Sequence, residues 1–173
     1  MVKIAVIFAD GTEEIEALIP VDVFRRAGAA CDIVSVSGSS LKGSHGIRVF
    51  SDRLAEETDF SVYDAIVIPG GMPGANNISK SEKVVSAIRA ALKNNRLIAA
   101  ICASPAVVLA ANGLLLSDSA TCYPADVFIS LLGDKYSGKD VDVSGNIITA
   151  NGPLSAMKFA FAICEKLGVE PKF

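Results

Sequence analysis

Four short apolar runs recur along the chain, each separated from the next by a segment of different character: KIAVIFA (3–9), CDIVSVSG (31–38), DAIVIPGG (64–71) and RLIAAI (96–101). In the first, third and fourth the apolar stretch is unbroken by polar residues. A strand with that pattern is covered on both faces. Between them lie stretches with helical spacing. In EEIEALIPVDVFRRAG (13–28), Ile15, Leu18, Ile19, Val23 and Phe24 mark a helix stripe, Gly28 is a C-terminal stop, and Pro20 predicts a kink. KSEKVVSAIRAALKNN (80–95) predicts a second helix. Strands alternating with helices require a mainly parallel sheet with a helical layer on each side, an α/β fold.

The remainder fits the same plan. Residues 39–52 predict a loop with a short ribbon, SPAVVLAANG (104–113) a helix with Pro105 in its first turn, and SATCYP (119–124) a short strand. DVDVSGNIITA (140–150) predicts a hairpin turning at Ser144-Gly145-Asn146, and PLSAMKFAFAICEKLG (153–168) a closing helix. No repeat, low-complexity tract or linker divides residues 1–173, so one domain is expected.

Composition narrows the function classes. With 51% hydrophobic and 20% charged residues the chain is too apolar for disorder. No apolar run reaches the roughly 18 residues of a membrane span. MVKIAVIFADG reads as a first strand rather than a signal peptide, so a cytoplasmic protein is expected. The net charge of -3, with no Lys/Arg run, argues against nucleic acid. Cys31, Cys102, Cys122 and Cys164 are far apart with no CxxC pair, and His45 is the single histidine. Neither a disulfide framework nor a zinc site is expected.

Parallel sheets bind ligands beyond their carboxyl ends. Three loops fall there: ADGTEE (9–14), PGGMPGANN (69–77) and ICASP (101–105). Cys102 sits where a strand meets a helix, the layout of a nucleophile elbow, although G-x-S-x-G is absent. Free N–H groups at a helix start favour thiolate over thiol. A cysteine there is equally acceptable as a small core hydrophobe. Glu13 and Glu14 suit a helix start, where acids complement the dipole. Glu16 lies a turn further in, beside Ile15 and Ile19. A carboxyl in such a cleft next to a thiolate should keep its proton and donate a hydrogen bond to the sulfur. Gly70 and Gly71 allow close backbone approach and can supply an oxyanion donor, or simply a turn. His45, in a Gly-rich loop, is a conceivable partner for Cys102 or a solvated side chain.

GTEEIEALIPVDVFRRAG, YDAIVIPGG, IAAICASPAVVLA and NGP, in that order, resemble the DJ-1/ThiJ/PfpI superfamily over nearly the whole chain. The resemblance implies a flavodoxin-like three-layer sandwich. It maps a nucleophilic cysteine onto Cys102, a protonated glutamate onto Glu16, and backbone oxyanion donors onto Gly71 and Ala103. Gly70, Gly152 and Pro153 would line the site, and Arg26 matches an arginine near a dimer interface. His45 takes the place of a second arginine, Tyr123 that of a histidine, and Leu154 that of a glycine. The family implies a homodimer. It also implies a cofactor-independent glyoxalase III or protein deglycase, acting on methylglyoxal, glyoxal or their protein adducts in stress response. A redox-sensing chaperone whose cysteine oxidises to sulfinate is the alternative. A PfpI-type cysteine peptidase or amidase comes third, because Tyr123 is a poor base near neutral pH.

Overall fold

The computed structural model describes residues 1–173. In chain order it forms β1 (Lys3–Phe8), α1 (Glu14–Arg26), β2 (Ala30–Ser35), β3 (Ser40–Lys42), β4 (Arg48–Phe50), β5 (Arg53–Leu54) and β6 (Ala65–Ile68). Then follow α2 (Gly74–Ser79), α3 (Glu82–Lys93), β7 (Leu97–Ile101), a π-helix (Pro105–Ala110), α4 (Asp126–Leu132), β8 (Val141–Ser144), β9 (Ile147–Ala150) and α5 (Ala156–Leu167). Seven strands make one sheet in the order β5-β2-β1-β6-β7-β9-β8, and β3 and β4 form a separate ribbon. All sheet pairings are parallel except β8 with β9.

The unbroken apolar runs explain the layering. Successive side chains of a strand point to opposite faces. On β1, Ala5 and Ile7 enter one core with Ile66, Ile68, Ile98 and Ala100, beneath α2, α3 and the π-helix. Ile4, Val6 and Phe8 enter the other, with Ala17, Val21 and Phe24 of α1 and Phe159, Ala160 and Ile163 of α5. This is the expected three-layer α/β sandwich with a mainly parallel sheet.

Three local expectations are corrected. Of the stripe assigned to α1, Ile15 is exposed and Leu18 and Ile19 are only partly buried. Val23 and Phe24 are buried as expected, and Ala17 and Val21 join them in the core, while α1 turns its other apolar side chains outward. α1 runs unbroken through Pro20. The segment after Cys102 is a six-residue π-helix rather than a ten-residue α-helix. Residues 119–124 form no strand: a single bridge joins Ala120 to Tyr136, and α4 follows where no helix was expected. No helix is long and apolar enough to cross a membrane.

Candidate active site

β1, β6 and β7 lie side by side, and their carboxyl ends deliver the three loops singled out above to one rim. Cys102 is the first residue beyond β7. Its N–H donates to Ala150 O at 2.9 Å, and its carbonyl accepts from the Tyr123 N–H at 2.8 Å. Its φ is 66°, one of two positive values at non-glycine residues. A left-handed cysteine costs about 1–3 kcal/mol. The flanking contacts hold it there, and the thiol is partly exposed while Cys31, Cys122 and Cys164 are buried.

Glu16 comes up from α1 beneath this turn and is fully buried. Its Oε2 accepts the Gly70 N–H at 2.9 Å. Its Oε1 has no hydrogen-bond partner, and the Cys102 thiol lies near enough to act on its ionisation. A Cβ on Gly70 would fall 2.6 Å from Cys102 Cβ and 2.7 Å from Glu16 Oε2, so only glycine lets thiol and carboxyl meet. Gly71 has φ 87°, and a Cβ there would lie 2.3 Å from the Glu13 nitrogen. The Gly71 and Ala103 N–H groups lie near enough to the sulfur to favour its thiolate, and neither serves a backbone carbonyl.

Burial raises Glu16 to about 7 against the pull of the Cys102 and Gly70 hydrogen bonds, with the Glu13 charge adding to the rise. Burial and then the Glu16 charge push the Cys102 thiol up to about 12, against the two backbone donors. This corrects the expectation of a thiol lowered by a helix N-terminus: the helix is short and begins three residues on. The two groups form a coupled pair. Glu16 with its proton gives the sulfur a hydrogen bond instead of a repelling charge. Each titration therefore belongs to the pair rather than to either residue alone.

The other expected site residues divide. Tyr123 is held beside Cys102 through its backbone, and its ring packs on Gly152, where a Cβ would meet it at 3.4 Å. Pro153 follows at the start of a short turn before α5. His45 is on the β3–β4 tip, 3.0 Å from Glu14 Oε2 and 3.6 Å from Glu13 Oε1, so carboxylates rather than the thiol are its partners. Arg26 does not line the site. It lies ten residues past Glu16, about 15 Å along the helix, paired with Asp22 at 2.7 Å and placed over the Phe173 ring. Sequence reasoning missed Ser104, fully buried, whose Oγ donates to Pro69 O at 2.6 Å and ties the β6 loop to the β7 loop. Its position before Pro105 signals a helix cap, but it makes no capping bond. Clefts of about 480 and 500 Å³ open at the opposite rim, beside Lys3 and Asp32 and beside Asp64 and Asn146.

A thiol on a strained turn over a buried carboxyl, at the carboxyl end of a doubly wound sheet, defines a cysteine-centred α/β site. The chain belongs to the DJ-1/PfpI family, whose model matches residues 2–166. It is 40% identical over 166 residues to protein DJ-1 homolog B of Arabidopsis thaliana, covering 95% of this chain and 37% of that one. It thus spans well under half the length of that plant relative. The glutathione-independent glyoxalase DJR-1.2 of Caenorhabditis elegans is 31% identical, over 91% of this chain and 84% of that relative. The solved structure of oxidized Toxoplasma gondii DJ-1 superposes with a TM-score of 0.93 at 40% identity, covering 96% of this chain and 91% of that one.

Proposed function

We propose that this DJ-1-type chain is a cofactor-independent glyoxalase acting on methylglyoxal or glyoxal, with deglycase action on their protein adducts as the same chemistry. The observation that carries it is the partly exposed Cys102 set beside the fully buried Glu16, with no imidazole base beside them. The Cys102 thiolate attacks the aldehyde carbon, Gly71 and Ala103 N–H groups hold the developing oxyanion, and Glu16 gives that oxygen its proton. The resulting Glu16 carboxylate removes the C1 proton of the hemithioacetal and returns it to C2, while the O1 hydroxyl proton passes to O2, which leaves a thioester on Cys102. Water then cleaves the thioester, releasing lactate or glycolate and restoring the thiol. The C. elegans relative carries a glyoxalase name, which supports the reading.

The test is lactate formation from methylglyoxal without glutathione. Wild type turns over, Cys102→Ser falls to background, and Glu16→Gln loses about 100-fold or more with its fold intact. Full turnover in Cys102→Ser overturns the proposal.

A second reading, a redox sensor, is favoured by one contrast: Cys102 is partly exposed while the other three thiols are buried. Peroxide would convert it to sulfinate, with Gly71 and Ala103 N–H groups placed to bind the new oxygens. Mass spectrometry after mild peroxide decides it. Two oxygens gained at Cys102 alone support a sensor; scattered oxidation over all four cysteines ends it.

A further inference from the structure

The first turn of α1 carries three carboxylates with three different tasks. Glu16 meets the thiol. Glu13 caps the helix, its Oε2 accepting the Glu16 N–H at 2.9 Å, and its N–H donates to Gly70 O at 3.0 Å. Glu14 is buried, and its carboxylate is filled by the β3–β4 tip. The His45 N–H lies at 2.8 Å, His45 Nδ1 at 3.0 Å, Ser44 Oγ at 3.2 Å and the Ile47 N–H at 3.3 Å. The tip is moulded on this carboxylate: a Cβ on Gly43 would lie 2.2 Å from Glu14 Oε1.

Two buried carboxylates therefore face one exposed imidazole. The ribbon and the loop it meets carry other charged residues: Lys42 on β3, Arg48 on β4, and Asp10, whose Oδ1 accepts the Lys42 N–H. None of these forms an ion pair with Glu13 or Glu14; His45 alone does. The hydrogen bond and charge of Glu14 hold the imidazole above its ordinary value, which keeps it cationic further toward neutral pH.

We propose that the His45 imidazolium is a positioning residue for the Cys102–Glu16 pair, seating the ribbon tip on Glu14 and offsetting the charge of Glu13. In this way it sets the pH at which the pair releases its first proton. The proposal rests on that pair being the reacting centre. Its sign is fixed by the neighbours. Glu13 opposes ionisation of Glu16, so removing the cation that offsets Glu13 must raise the pair's midpoint.

The experiment is the pH profile of Cys102 alkylation by iodoacetamide, read by peptide mass spectrometry. His45→Gln should move the midpoint up by about half a pH unit, the scale of one charge acting across a partly solvated rim. His45→Arg, which keeps the charge, should restore it, and Glu13→Gln should move it down. High salt should shrink the His45→Gln shift. An unmoved midpoint in His45→Gln, or equal loss of rate in Gln and Arg variants at every pH, overturns the proposal and leaves His45 a purely structural contact. Alkylation needs no substrate. A shifted midpoint without methylglyoxal turnover therefore ends the glyoxalase reading alone, and turnover with a fixed midpoint ends this one alone.

Discussion

At the scale of single residues, the buried Glu16 leaves a thermodynamic mark. Its folded value, about 7, stands above the ordinary 4.5 of a glutamate. Below pH 4.5 both folded and unfolded chains hold the proton. As pH rises from there to about 7 the unfolded chain releases it while the folded chain does not, so stability falls across that window and levels off above it. The shift corresponds to roughly 3 kcal/mol. Urea denaturation at pH 5 and pH 8 should show wild type losing stability between the two values, and Glu16→Gln losing about 3 kcal/mol less. Equal pH dependence in the two proteins would show that Glu16 ionises normally. The importance of Glu16 was legible in the sequence, because it alone of the three acids lies past the first helical positions beside apolar neighbours. The charge state of Cys102 was not. Burial and the carboxyl below it outweigh the backbone donors, and neither term appears in local sequence.

At the scale of elements, the site depends on how strand ends are tied together. Ser104 Oγ bridges to Pro69 O in a fully buried setting, joining the loop that carries Gly70 and Gly71 to the turn that carries Cys102. Ser104→Ala leaves that carbonyl unpartnered at a cost of about 1–3 kcal/mol. A drop of that size in denaturation, with slower alkylation of Cys102, is expected; unchanged values in both would show the tie to be dispensable. The central strands were legible because double burial leaves an unbroken apolar run. The 119–124 segment misled because Thr121, Cys122 and Tyr123 are β-prone yet form a loop, its Thr121 and Cys122 buried and its Tyr123 exposed. There the Thr121 N–H takes Thr149 Oγ1 at 2.8 Å, and Tyr123 turns back to Cys102. Side-chain and loop partners replaced a ladder. The π-helix was hidden for a related reason: the wider spiral is set by packing against α2 and α4, and PAVVLA alone is compatible with an α-helix.

At the scale of the whole molecule, the outward side of α1 and α5 is the least finished surface. Ile15, Leu154, Met157, Phe161 and Phe173 are all exposed, and Leu18 and Ile19 only half covered. The stripe read as core in the sequence is thus partly an outer face, which supports a homodimer built on this layer. Sedimentation equilibrium should give twice the chain mass, and Ile15→Glu should shift the population toward single chains. A single-chain mass for wild type would rule the dimer out. The layout also has a practical side. β1 starts, and α5 ends, at the rim away from Cys102, where Lys3 borders one cleft and Lys166 and Leu167 border another. The Lys172 N–H reaches back there to Arg26 O. Both chain ends therefore exit on the side remote from the chemistry. The unit is modular: it can be tethered, tagged or strung in tandem through either end while its reactive face stays open to solvent.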